Sequence, residues 1–481
     1  MSATHARRRA QLGLLANCCA VFMTVMNALI VNVALEPMQR ALGADLSHLQ
    51  WVVNAYTLSF ASCLLMAGML GDRLGYKRMF NVGLWTFTLG SVICGLSPDL
   101  SFLIATRVFQ GIGASLLIPN ALSLLNRTYE DPAAKAKAVG VWACCSSAGV
   151  SAGPLVGGYL VGAFGWRSIF FVNLPFGILA YVLLKVSVEE RKAEGELSPF
   201  DWTSQALAVS ALASLTYAVI EGRARGLHAA LLPVAILLAA SLLFGFRQRR
   251  STRPLLPREL PRIPAWVNAN AVAFLICFVY YGFIFMVSLY FQITRHFSPM
   301  VTGLTFLPMT LLQPFLHPFL GRWVAKVGPR TPMALSLFLA FAGLFMASFM
   351  GPETSRLCLG LIMLPIGLGS SLGISPALVS MLRATPKENS GVASGIFNTG
   401  RQAGALLGVA VLGAFLGSES HFLRGFHVAV LLSSALVFLG ILGTLIWTQK
   451  GITDQDPGRL GRKGLGQMDG CADAVLTSPV D

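Results

Sequence analysis

Apolar runs separated by short polar or charged turns recur along the chain from about residue 11 to residue 448. Each is close to the roughly 20 residues an α-helix needs to cross about 30 Å of hydrocarbon. Fourteen such runs are counted, over 11–35, 49–70, 78–97, 101–125, 136–163, 166–187, 203–221, 227–245, 266–291, 301–324, 331–349, 355–382, 391–416 and 424–448. The pattern predicts an all-α protein threaded many times through a membrane. The first run already poses a problem, because "CCAVFMTVMNALIVNVALEP" carries Asn27 and Asn32 inside an apolar helix. Five residues at about 100° each place the two amides about 140° apart, so they do not share one face.

Composition agrees with a membrane protein, with 55% hydrophobic and 12% charged residues. The formal net charge of +15 raises the possibility of nucleic acid, but the placement of the basic residues argues against it. With both termini inside, 27 of the 36 Lys and Arg fall on the cytoplasmic side and 7 outside, leaving Arg107 and Arg401 within predicted helices. That asymmetry is the positive-inside rule, and it orients the chain in a cell membrane of the bacterial inner type. The run after Arg7 to Arg9 is too long for a signal peptide and is read as a retained helix. Eight of the nine cysteines lie in apolar segments and none forms C-x-x-C, so neither disulfides nor a metal site is expected. The tail after Lys450, rich in Gly and Asp, is expected to be disordered.

The chain also repeats itself. Gly140, Gly149, Gly153, Gly157 and Gly162 are each followed 251 residues later by a glycine, at 391, 400, 404, 408 and 413. "GMLGDRLGYKR" (68–78) has a counterpart in "GRWVAKVGPRT" (321–331). The offset spans eight predicted helices, an even number that preserves direction, so the repeats are parallel. The expected partition is a cytoplasmic N-terminus (1–10), a six-helix bundle (11–190), two inserted helices with flanking loops (191–262), a second six-helix bundle (263–448) and a tail (449–481). Parallel repeats of this kind describe carriers that rock around a midplane site.

In the segment 68–78, Gly68 and Gly75 allow tight turning and close helix approach, beside a charge cluster of Asp72, Arg73, Lys77 and Arg78. Asp72 is expected to make ion pairs or to face a helix N-terminus; a plain solvated turn is the ordinary alternative. The fifth run carries Gly149, Gly153 and Gly157 at four-residue spacing with Pro154 and Gly158, a ridge of small residues suited to close packing or to a hinge. "GVSAG" and "GSSLG" have the form G-x-S-x-G, but the hydrolase elbow requires a strand-turn-helix setting that predicted membrane helices do not provide.

Taken together, "GMLGDRLGYKR", "RVFQGIGAS" (107–115) and "GVSAGPLVGG" (149–158) resemble the signature motifs of the major facilitator superfamily. With "WVVNAYTLSFASCLLMAG", "WRSIFFVNLPFG" and "GIFNTGRQAGALLG", the layout is similar to the fourteen-helix drug:proton antiporter branch. The resemblance implies two six-helix bundles plus two inserted helices, and export of small organic compounds by alternating access, linked to protons. It implies a gating role for the 68–78 turn and for the fifth helix. An uncoupled facilitator or importer, or a sensor without flux, remain the alternatives. No enzyme, cofactor or metal site is expected. No G-x-x-x-x-G-K-[ST] loop is present, so ATP is not the direct driving force. Small solutes, protons and lipid are the expected partners, a monomer suffices, and accessory efflux proteins are left open.

The candidate pathway residues are the polar groups in apolar helices: Asn27, Asn32, Arg107, Gln110, Asn120, Gln313, His317, Asn398 and Arg401, with Tyr280 beside them. A lone cation at membrane depth is costly and faces the bundle interior or a cavity, which singles out Arg107 and Arg401. His317 is the first candidate for titration near neutrality, and Glu221, read as interfacial at the outer surface, is the second. In the family that the chain resembles, the position of Asn27 carries a membrane carboxylate. An amide cannot titrate, so the expectation is a cavity-lining Asn27, an Asn32 that fixes the helix, and a preference for neutral or anionic solutes over lipophilic cations.

Overall fold

The computed structural model describes residues 3–129, 131–187, 201–251, 254, 256–386, 389–417 and 421–453. The first half consists of α1 (Ala3–Val33), α2 (Leu35–Leu42), α3 (Leu46–Leu74), α4 (Tyr76–Gly95), α5 (Leu100–Thr128), α6 (Pro132–Phe164), α7 (Ser168–Phe171) and α8 (Asn173–Ser187). An intervening pair follows, α9 (Trp202–Arg225) and α10 (Leu227–Arg250). The second half contains α11 (Pro264–Leu289), α12 (Pro299–Thr305), α13 (Leu307–Thr310), α14 (Gln313–Val327), α15 (Arg330–Ala347), α16 (Arg356–Arg383), α17 (Ser390–Ala414) and α18 (Phe422–Thr453).

Several helices begin where a side chain satisfies a free backbone N–H. Asp45, Asp99, Asp131 and Asp201 each accept from the amide three residues on, at 2.9, 2.9, 2.7 and 3.0 Å. Between α3 and α4 the chain turns on Gly75 at φ 96°, and before α15 on Gly328 at φ 75°; a side chain is strained in both conformations.

Among the described residues, twelve helical segments are long and apolar enough to cross a bilayer. Two of the fourteen expected runs, 78–97 and 391–416, form helices α4 and α17 outside that dozen. Their polar content is the reason: Arg78, Asn81, Thr86, Thr88 and Ser91 dilute the first, and Ser394, Asn398, Thr399, Arg401 and Gln402 the second. The run at 301–324 is not one continuous helix but α12, α13 and α14 in series. Pro308 and Pro314 stand at the starts of α13 and α14, where a missing N–H ends the preceding ladder. At the C-terminus α18 continues to Thr453, past the expected boundary at 448, and the rest of the tail lies outside the described residues.

The sequence repeat has a structural counterpart. Helix α1 packs against α6 and α8 as α11 packs against α17 and α18, and the pair α4 and α5 is echoed by α15 and α16. A β-carbon at Gly149 would lie 2.7 Å from the Phe22 carbonyl, one at Gly153 3.0 Å from Leu29 Cβ, and one at Gly157 2.7 Å from Ile30 Cγ1. At Gly404 and Gly408 it would collide with the Phe274 and Phe278 carbonyls of α11. Helices α9 and α10 pair with each other, and α9 lies against both α3 and α17.

These contacts predict a graded response to added bulk. Gly153→Val and Gly408→Val force backbones apart, and overpacking of this kind costs about 1–3 kcal/mol. Gly162→Val meets open space. The expected result, read as thermal unfolding of purified protein in detergent, is a lowered midpoint for the first two and none for the third. Equal midpoints for all three would show that the ridges are not tight contacts.

Candidate functional site

A cavity of about 830 Å³ lies between the two halves and is lined by both. Asp72, Asp201, Pro254 and Gly391 sit around its mouth, at the end of the molecule that carries the 68–78 turn. From α1 the lining residues are Val21, Thr24, Val25 and Ala28, one stripe at three- and four-residue spacing. From α17 they include Ser394, Asn398, Arg401, Gln402, Ala405 and Val409, with the polar side chains on the mouth side of Ala405. Tyr56, Phe60, Leu64, Leu65 and Tyr281 are among the other wall residues.

Of the predicted pathway residues, Asn398 and Arg401 line this cavity. Arg401 Nη1 donates to Asn398 Oδ1 at 3.4 Å, a long contact, while its Nε is buried without a hydrogen-bond partner. Asn398 in turn donates to the Ser394 carbonyl at 3.0 Å.

The expected cavity role of Asn27 is not what the geometry shows. Asn27 precedes Ala28 by one residue, about 100° around the helix, and is completely buried inside the first bundle. Its Oδ1 accepts from Gln110 Nε2 at 3.2 Å and from Asn173 Nδ2 at 3.1 Å. Asn173 also donates to Ser91 Oγ at 2.8 Å. Gln110 Oε1 accepts from Arg107 Nη1 at 2.6 Å, and Arg107 Nε donates to the Val52 carbonyl at 2.9 Å. The guanidinium lies 4.4 Å from the centre of the Tyr56 ring. Arg107, Gln110 and Asn27 thus form one buried polar chain through α3, α5, α1 and α8, behind the cavity wall.

The other predicted residues serve as packing or sealing groups. Asn32 sends its Nδ2 to the Leu29 carbonyl at 3.2 Å, while its own carbonyl accepts from Ser288 Oγ of α11 at 2.6 Å. The amide expected to fix α1 stays on its own helix, and the link to α11 is made by the backbone. Asn120 donates to the Leu116 carbonyl at 2.7 Å and to Ala67 of α3 at 3.3 Å, below Gly71. Gln313 donates to Tyr280 Oη at 3.0 Å, and both are buried; Tyr281, one residue on, reaches the cavity instead. Glu221, expected at the outer surface, is buried: it accepts from Trp51 Nε1 of α3 at 2.8 Å and pairs with Arg225 at 2.9 Å. His317 is on α14, with its side chain outside the described residues.

Away from the mouth the halves are joined. Gln50 Nε2 of α3 donates to the Val409 and Ala410 carbonyls of α17 at 2.9 and 3.0 Å. Ser151 Oγ of α6 donates to the Thr310 carbonyl at 2.7 Å, and a β-carbon at Gly158 would lie 3.1 Å from Met300 Cα. A β-carbon at Gly303 would collide with the Pro154 carbonyl, so the predicted ridge of α6 faces α1 on one side and α12 on the other.

At the turn, Asp72 is exposed and accepts from the Tyr76 hydroxyl, while the Arg127 guanidinium lies 4.4 Å from the Tyr76 ring centre. Arg73, Lys77 and Arg78 stand with it on the same turn. Gly68 does not supply the expected close approach, since it lines the cavity with open space beside it; Gly71 is the tight position, against Asn120 and Tyr76. For Asp201, burial alone would raise the pKa, but hydrogen bonds from Arg247 and Ser204 outweigh it and hold the carboxyl at about 2. Its charge is paired with Arg247 at 3.0 Å.

Sequence reasoning did not single out Asn173, Gln50, Tyr56 or Tyr281. Asn173 had a signal, an amide in the apolar run "FFVNLPFG"; the tyrosines had none, because aromatic residues are common on every face of such helices.

The Major Facilitator Superfamily family model matches residues 18–409. The multidrug resistance protein Stp of Mycobacterium tuberculosis is 36% identical over 409 residues, which cover 85% of this chain and 76% of that protein. The methylenomycin A resistance protein of Streptomyces coelicolor is 34% identical over 423 residues, covering 87% and 88%. Among solved structures, a peptide transporter POT mutant in complex with alafosfalin superposes with a TM-score of 0.70 at 16% identity, over 94% of this chain and 99% of that one. A bacterial homolog of the human lysosomal transporter Spinster, captured inward-facing and unoccupied, gives 0.69 at 14% identity, over 94% and 99%. At these identities the two structures share the fold alone.

The buried chain and the cavity stripe differ in what they support. Gln110→Leu removes one of the two acceptors of the Arg107 guanidinium, and a hydrogen bond to a charged group contributes about 1.5–3 kcal/mol. Asn398→Leu removes only a cavity-facing amide. The thermal midpoint of purified protein is expected to fall clearly for Gln110→Leu and little for Asn398→Leu. The reverse order would place the structural burden on the cavity side.

Proposed function

Since the chain belongs to the major facilitator superfamily, we propose that it exports small organic compounds by alternating access, driven by the proton gradient. It is a secondary transporter of small organic compounds and not an enzyme, in keeping with the resistance and export proteins it is similar to. "GVSAG" and "GSSLG" lie within helices α6 and α16, away from any elbow of a catalytic serine. The observation that carries the export reading is the cavity itself, lined by both halves, open beside the 68–78 turn and closed by Gln50, Asn32 and Ser151 at the other side. That is one of the two end states an alternating carrier must visit. The names of the relatives, a multidrug resistance protein and a drug efflux pump among them, favour the outward direction.

Both termini are assigned to the cytoplasm by the distribution of Lys and Arg, with the open mouth on that side. Helices α4 and α17 are taken to cross with the other twelve segments, for a total of fourteen. The polar face of α17 is turned to the cavity rather than to lipid, which lowers the cost of its amides and guanidinium. The bundles at 11–190 and 263–448 act as the moving bodies, with α9 and α10 riding against α3 and α17. Proton linkage does not run through a carboxylate at position 27, where the side chain is an amide; His317 and Glu221 are the groups assigned to it. Gly68, Asp72, Arg73, Gly75, Lys77 and Arg78 form the latch that closes the mouth, and Gly149, Gly153, Pro154, Gly157 and Gly158 the hinge face of α6.

The latch role makes a direct prediction. Asp72→Asn is expected to insert normally in the membrane and to lose most of the transport, because the closed mouth lacks its anion. Dye efflux from whole cells, normalised to protein in the membrane fraction, reads both quantities. Wild-type efflux by a well-inserted Asp72→Asn variant would remove Asp72 from the gate.

A further inference from the structure

We propose that the cavity is built for an organic anion with an apolar or aromatic body, its acid group seated on Arg401; this deepens, and rests on, the export reading. Among the described residues, three charged ones line the cavity: Arg401, Asp72 and Asp201. Asp201 is neutralised by Arg247, and Asp72 stands at the mouth on the turn. Deeper in, Arg401 is the charge among the described residues that a solute meets. It has no ion-pair partner among the described residues, its Nε is buried and unbonded, and its contact with Asn398 is stretched to 3.4 Å. The Cys277 side chain of α11 is its other polar neighbour.

A second cation reinforces the sign. Arg107 stacks behind Tyr56, a wall residue, and its hydrogen-bond acceptors are a carbonyl and an amide oxygen rather than a carboxylate. Asn27, with its Oδ1 held by Gln110 and Asn173, supplies no negative charge to offset it. Unlike charges attract more strongly across low-dielectric walls than in water, so both guanidiniums favour an anion in the space between the halves. The repeat shows that the cation is not a packing requirement of the fold. Subtracting the offset of 251 from 398, 401 and 402 leads to Ser147, Val150 and Ser151, so α6 keeps the glycine ridge and carries no charge at these places. A lone guanidinium at membrane depth is expensive, and a ligand that brings the counter-charge accounts for it. A carboxylate suits the guanidinium fork, and Phe60, Leu65 and Tyr281 offer the apolar surface for the remainder of the molecule. The volume of about 830 Å³ is that of a site for a drug-sized ligand.

Carboxyfluorescein and rhodamine 6G share a xanthene ring system and differ in the sign of charge, which makes them the probes. Fluorescence anisotropy on the purified full-length protein is expected to give an affinity for carboxyfluorescein at least about tenfold above that for rhodamine 6G, the scale of one charge-assisted contact. Arg401→Gln is expected to abolish the difference and Arg401→Lys to keep part of it, both with a wild-type unfolding midpoint. Equal affinities, a preference for rhodamine 6G, binding of neither dye, or a preference that survives Arg401→Gln would each overturn the proposal. Counterflow of the same dyes in proteoliposomes separates the two readings. Selective binding of the anion without flux would defeat export and leave the anion site standing, whereas flux that favours the cation would defeat the anion site and leave export standing.

Discussion

Two lines of backbone contact, α6 on α1 and α17 on α11, hold the rest of the molecule in place. Lipid tails are as apolar as leucine, so helices in a bilayer gain little by hiding apolar side chains from them. What remains is close packing, and it is closest where glycine lets one backbone touch another. Gly149, Gly153 and Gly157 do this against α1, and Gly404 and Gly408 against α11. With one face of α17 committed to α11, its stripe from Ser394 to Val409 has to look into the space between the halves. The position of Arg401 therefore follows from glycines three and seven residues further along the same helix.

The two guanidiniums within the helices illustrate opposite solutions to the cost of charge in a membrane. Arg107 is fully enclosed and satisfied by the Val52 carbonyl, Gln110 and the face of Tyr56. Its amide partners continue through Asn27 to Asn173, tying four helices of one bundle together. Such a network is rigid because every break leaves a buried polar group unpaired. Arg401 is left incompletely bonded on a cavity wall, where water or a solute can reach it. The first arrangement suits a scaffold and the second a binding site.

Opposite the mouth, the contacts between halves are short and mostly made to backbone carbonyls: Gln50 to Val409 and Ala410, Ser288 to Asn32, Ser151 to Thr310. Bonds of this sort can be exchanged for water one at a time. The breaks between α12, α13 and α14 lie in the segment that faces α6 across this seam. The intervening helix α9 spans the same seam, through Glu221 to Trp51 of α3 and Arg223 to the Ala414 carbonyl of α17 at 3.1 Å. It therefore touches both halves of the molecule.

The sequence by itself determined the class of molecule, the order of its helices, the glycine turns at 75 and 328, and the ridge positions, because each follows from local properties. A run of apolar residues must be helical to satisfy its backbone in lipid, and a left-handed turn wants glycine wherever it occurs. Asn398 and Arg401 were also legible as polar groups that need a cavity. What only the tertiary structure decided was the rotation of each helix. In a soluble protein, polar residues mark the outer face and so give the phase; in a membrane bundle the lipid face and the core face are both apolar, and the phase is lost. Hence Asn27 turned out to lie beside the cavity stripe of its own helix and not on it, Tyr281 and not Tyr280 reaches the cavity, and Gly71 instead of Gly68 makes the tight contact. Each of these differs from the expectation by one residue or one turn, a shift invisible to composition and decided by which neighbouring backbone the glycines allow to come close.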